Sequence, residues 1–187
     1  MTKLHFIIAL VVGIFLINVP LSQAAKTKTE DEFITELSGA NANKVAEAML
    51  GLEKQYPTST RAQTEIKKYL TDPREIVRRK AGRVLGSIHA EVNETDLKNI
   101  TAMLKATSNP EVMDALKSLR GLKAESTLPQ ILPLLKSTDV GVIRDACRTV
   151  AALGTKANVS DIEPLLKHPD VKVQKDAQDA INALNAK

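Results

Sequence analysis

Residues 71–86 read TDPREIVRRKAGRVLG, and their reading decides the fold. An Asp-Pro turn opens the stretch, and Ala81, Leu85 and Ile88 then fall on one helical stripe, spaced 0, 4 and 7. Five basic side chains lie between Arg74 and Arg83, so the stretch could be a charged site or one tile of a wall. Residues 142–154, VIRDACRTVAALG, pose the same question with Cys147 between Arg144 and Arg148. Recurrence answers for the tile.

Five alanines, Ala46, Ala81, Ala115, Ala146 and Ala177, stand 35, 34, 31 and 31 residues apart, the self-similarity of a repeat protein. Four residues after each comes Leu50, Leu85, Leu119, Val150 or Ile181, and seven after the last four comes Ile88, Leu122, Leu153 or Leu184. A small column beside two large ones lets a helix pack closely on a neighbour. A second helix follows each first one. Leu97-Ile100-Met103-Leu104, Leu128-Ile131-Leu134-Leu135 and Val159-Ile162-Leu165-Leu166 share one spacing, with a fainter copy at Ile66, Tyr69 and Leu70. Asp96, Thr127 and Asn158 directly precede the clear copies and are expected as their N-caps. Pro133 and Pro164 share a column and are expected to bend their helices, while Ala102 in that column leaves its helix straighter.

Each unit is therefore helix, turn, helix and a linker rich in Asp, Asn, Ser and Pro. A lone hairpin of this kind cannot bury its apolar faces, whereas a stack of them makes a continuous two-layer core. The expected fold is all-α, an α-solenoid of about five stacked helix-turn-helix units. The Asp/Pro linker, Val77-Arg78, Ala81 and Leu85-Gly86 resemble the short HEAT repeat of the phycobilisome-lyase type, and the resemblance covers residues 41–187. It implies that Arg78 serves the contact between units. Two positions depart from the pattern: Gln174 replaces the arginine of the last unit, and Glu111-Val112 stands where Val-Arg is expected.

Ahead of the repeats, MTKLHFIIALVVGIFLINVPLSQAA has a basic start, an apolar run from Phe6 to Ile17, and small residues before a cut between Ala24 and Ala25. The chain thus divides into a signal peptide (1–24), a flexible lead-in (25–40) in which FITEL forms a short helix, and a repeat domain (41–187). The approximate units are 41–70, 71–105, 106–136, 137–167 and an incomplete 168–187. The mature protein is expected to be periplasmic or secreted. The formal charge is +4, or +3 without residues 1–24, which carry one lysine and no acid. So weak a basic bias, with 3% aromatic residues, argues against nucleic acid as a partner. One cysteine excludes an internal disulfide.

Catalytic constellations are scarce. His89 and His168 lack a second His or a Cys at ligand spacing, so no metal site is expected. Cys147 shares its column with Gly82, Leu116 and Gln178, which reads as a variable surface or half-buried position rather than a nucleophile. Asn93, Asn99 and Asn158 begin Asn-x-Ser/Thr triplets that coincide with helix positions and caps. Arg74, Arg79, Lys80 and Arg83 exceed what one inter-unit arginine explains, and are expected as a docking patch for an acidic protein segment or an anionic membrane surface.

The functional expectation is a non-catalytic, monomeric protein-binding scaffold or adaptor in the periplasm, with no cofactor and with a protein partner. The alternative is a HEAT-like lyase or enzyme subunit that holds a prosthetic group.

Overall fold

The computed structural model describes residues 28–187; the expected signal peptide lies outside the described residues. Ten α-helices and several 3-10 turns follow one another, with no strand among the described residues. A leading helix, α1 (Glu30–Leu37), precedes five first helices and four second helices in alternation. The first helices are α2 (Ala42–Gln55), α4 (Glu75–Ser87), α6 (Asn109–Gly121), α8 (Val140–Leu153) and α10 (Val171–Asn185). The second helices are α3 (Thr60–Lys67), α5 (Glu94–Ala102), α7 (Leu128–Ile131) and α9 (Val159–Ile162). Each first helix packs on the next first helix, and α4, α6, α8 and α10 also pack on the second helix that precedes them, which makes the two-layer solenoid.

The alanine column is buried throughout, and Ala81, Ala115, Ala146 and Ala177 have no exposed surface. At α2 the register differs from expectation. Leu50 is 42% exposed, and Val45, Met49 and Leu52 carry the buried stripe instead. The cause lies in α1, which packs on α2 through Phe33; a Cβ at Gly51 would stand 2.1 Å from that ring, so Gly51 must face it. FITEL is helical as expected but starts three residues earlier, because Thr29 and Glu32 close a capping box.

The second helices start differently from the sequence reading. Asn93 caps α5, and Asp96 is the third helical residue, closing the box from inside. Thr127 and Asn158 make no side-chain cap bond to α7 and α9, since the preceding residues are already wound as 3-10 turns. In place of the expected bend, α7 and α9 each stop after four residues, and the chain continues through Pro133 and Pro164 as a 3-10 turn. With Ala102 in that column, α5 runs for nine residues.

Candidate functional site

Charged side chains on the first helices form a ladder that runs from α4 through α6 and α8 to α10. Asp114, Asp145 and Asp176 directly precede the alanines of α6, α8 and α10. Arg79 and Arg83 of α4 meet Asp114 at 2.9 and 3.0 Å, and Lys117 of α6 meets Asp145 at 3.3 Å. Arg144 and Arg148 of α8 meet Asp176 at 2.6 and 3.0 Å. Burial pushes the Asp176 carboxyl up, but hydrogen bonds from those two arginines outweigh it and hold it below the ordinary carboxylate range.

Arg78 occupies a second, deeper contact. Its guanidinium donates to both carboxylate oxygens of Glu111 at 2.9 and 3.0 Å, and to the linker carbonyls of Asp72 and Pro73 at 2.7 and 3.0 Å. Both departures from the repeat pattern follow from this geometry. Glu111 is the acid that receives Arg78, and Gln174 reproduces only the carbonyl half of the contact, donating to His168 O at 2.7 Å.

The expectation that the remaining basic residues of 74–83 are surplus to stacking does not hold. Arg74 is bidentate to Asp72 and reaches back to the carbonyls of Gly39 and Ala40, while Arg79 and Arg83 belong to the ladder. The hydrogen bonds from Arg74 hold the Asp72 carboxyl below its usual range, against the opposing effect of burial. Lys80 stands where later units carry the ladder aspartate, and it has no ion-pair partner among the described residues. The structure thus joins Arg74, Arg79 and Arg83 to acids and carbonyls of their own chain and sets Lys80 apart.

Cys147 is fully buried, not on the surface, and burial pushes its thiol up to about 12. Its column faces the following unit: Gly82 abuts Ser118 and Met103, and Leu116 is buried. Gln178, in the same column of α10, is exposed. The histidines serve local backbone: His89 Nδ1 lies 2.7 Å from Gly121 O, and His168 Nδ1 accepts from Asp170 N at 3.0 Å. No group of three metal-ligating side chains occurs among the described residues.

The second-helix face carries open grooves between successive units. One of about 490 Å³ lies between α5 and α7, lined by Leu97, Lys98, Thr101, Lys105 and Gln130. The next, of about 480 Å³, lies between the Pro133 turn and α9, lined by Leu132, Pro133, Lys136, Ser160 and Pro164. A smaller one of about 300 Å³ precedes them, at Leu70, Asn99, Ala102 and Met103. Each groove sets apolar side chains beside a rim of mixed charge, with Glu94, Asp161 and Glu111 lining them alongside the lysines, and such grooves repeated from unit to unit suit an extended ligand. These grooves lie on the face of successive second helices and their turns, which is the groove or face that the repeat reading expects a binding scaffold to use.

No protein-family model matches the chain, and no curated protein matches it. Among solved structures, it is similar to the complex of CpcE and CpcF of phycocyanin lyase from Nostoc sp. PCC7120, at 20% identity and TM-score 0.74, over 89% of this chain and 68% of that one. It is also similar to a designed armadillo repeat protein in complex with a (KR)4 peptide, at 19% identity and TM-score 0.63, over 82% of this chain and 80% of that one. Computationally designed armadillo repeat proteins for modular peptide recognition match at 19% identity and TM-score 0.59, over 82% and 81%. The fold is therefore that of HEAT-like and armadillo-type repeats. The expectation that the chain is not an enzyme is corrected by the first of these likenesses, which is to a lyase.

Proposed function

We propose that the chain is a lyase-type repeat subunit that holds a prosthetic group along its second-helix face and presents it to a protein partner. The observation that carries this reading is the likeness to the CpcE–CpcF complex of phycocyanin lyase across 89% of the chain. The grooves support it: each offers apolar side chains and a polar rim of mixed charge, and the one between α5 and α7, of about 490 Å³, has room for a ring-sized group. The chain's own contribution is to bind and orient, since a stacked solenoid fixes its surface groups rigidly and proximity alone lowers a reaction barrier substantially. Cys147, buried and with its thiol held protonated, is not the group that bonds to the ligand.

The test is to purify the full chain from its own host, record its absorption spectrum, and weigh it under non-denaturing conditions. An added mass and a visible absorption band, both lost when Thr101→Trp fills the groove, support the reading. A colourless protein of bare sequence mass refutes it. Export of this subunit is a further part of the proposal, supported by the basic start, the apolar run and the small residues before Ala25. Fusing residues 1–30 to a reporter that matures only outside the cytoplasm tests it, and a reporter retained inside the cell rejects it.

A further inference from the structure

At the C-terminal ends of α4 and α6, on the first-helix layer, lies a separate cleft of about 430 Å³. None of its lining comes from a second helix, so it shares no residue with the grooves described above. Its floor is bare backbone. Gly86 and Gly121 meet so closely that a Cβ on Gly121 would stand 2.3 Å from Gly86 O, and neither glycine has a positive φ, so both serve close approach and not a turn. Its walls carry Arg83, Lys117 and Arg120, with Ser87 and His89 beside them and no acidic side chain.

The three cations are under-compensated. Asp114 is shared by Arg79 and Arg83, and Asp145 by Lys117 and Arg148, so neither acid is available to a single partner. Arg120 has less: its Nη1 is buried with no hydrogen-bond acceptor at all. Desolvation weakens the charged form of this guanidinium, and Asp145 only partly offsets that. The nearby helix ends do not fill the deficit either. Gly121 O is already in contact with His89 Nδ1, and Gly86 O accepts from the amides of Ile88 and His89. A buried donor without an acceptor is uncommon in folded proteins and calls for one.

We infer that this cleft binds a doubly charged oxyanion, a phosphate or a dicarboxylate, with Arg120, Arg83 and Lys117 as its donors and Ser87 at its rim. Two guanidinium forks and an ammonium around a backbone floor match the several acceptor oxygens of such a group, and planar forks favour oxyanions over halides.

Titration calorimetry of the full chain at low ionic strength and mildly alkaline pH tests the assignment, with inorganic phosphate and glutarate as separate probes. Saturable one-site binding is expected, weaker by about tenfold or more in Arg120→Gln, as befits loss of a charge-assisted hydrogen bond. Lys80→Gln removes a cation of the same helix outside the cleft and should leave affinity unchanged. If Arg120→Gln fails to fold, Lys117→Gln provides the same reading. Tighter binding of phosphate assigns a phosphate ester, and tighter binding of glutarate assigns a carboxylate ligand. No saturation with either probe, equal affinity in the cleft variants, or an equal loss in Lys80→Gln overturns the inference.

Discussion

Replacing Arg78 by Met isolates what the deep inter-unit contact contributes. The methionine keeps an unbranched apolar stem of similar reach but removes four hydrogen bonds at once: two to Glu111 and one each to the carbonyls of Asp72 and Pro73. The Glu111 side chain is only 5% exposed, so its charge would be stranded, whereas the Arg78 side chain at 25% exposure loses less by its own removal. Breaking a buried pair from one side costs about 3–5 kcal/mol. For a domain of this size each kcal/mol lowers the melting temperature by about 2–4 °C, which gives a fall of roughly 10 °C. The assay is thermal and urea unfolding of four proteins: the parent, Arg78→Met, Glu111→Leu and the double variant. The double variant should recover most of the loss, because two apolar groups replace a pair whose desolvation cost offsets much of its attraction. An Arg78→Met variant within about 1 kcal/mol of the parent, the range of an exposed pair, would refute the reasoning.

Gly121→Ala should destabilise by about 1–3 kcal/mol, because its Cβ meets the backbone of Gly86, while Gly82→Ala, facing only the ends of Ser118 and Met103, should be near neutral in the same urea titration. Acid should weaken the fold through Asp72 and Asp176, whose carboxyls titrate below their unfolded range. The unfolded chain binds protons first as pH falls, so stability should hold down to about pH 4 and drop below it, with a shallower drop in Asp176→Asn; the same slope in both proteins would contradict this. Cys147 should resist a thiol reagent in the native protein and react at once in denaturant. Its raised thiol also means that stability declines as pH rises above about 9, and Cys147→Ala should remove that decline.

The architecture was legible because its signal is side-chain size at fixed spacing, and Ala81, Ala115, Ala146 and Ala177 are where helices touch. What escaped the sequence reading lies between units. Arg79 and Asp114 are 35 residues apart in the chain, so counting charges within residues 74–83 showed an excess where the fold makes pairs. The clue was present: Asp114, Asp145 and Asp176 recur at a spacing of 31 directly before an alanine. Cys147 was misread for the same reason, since its column takes its burial from the next helix. The caps failed locally: Thr127 and Asn158 have capping side chains, but 3-10 turns had already engaged the nearby amides. The second-helix face was legible as the binding face, whereas the size of its grooves depends on how far two shortened helices stand apart, which no single position encodes.

The ladder has a direction, and that direction has a consequence for assembly. Every rung joins unlike surfaces, the leading side of one unit to the trailing side of the next, and such head-to-tail contacts generate open fibres unless something stops them. Among the described residues, the outermost helices depart from the ladder's chemistry. At one end, α1 lies over α2 in place of a preceding second helix and buries Phe33 and Leu37. At the other, α10 carries Lys175 and Asp179 where α8 carries Arg144 and Arg148, and these two pair with each other at 2.6 Å rather than reaching outward. Gln178 and Asn182 bond side by side at 3.0 Å on the same helix. On α10 the side chains at the rung positions thus satisfy one another within their own helix, where those of α4, α6 and α8 engage an aspartate of the next.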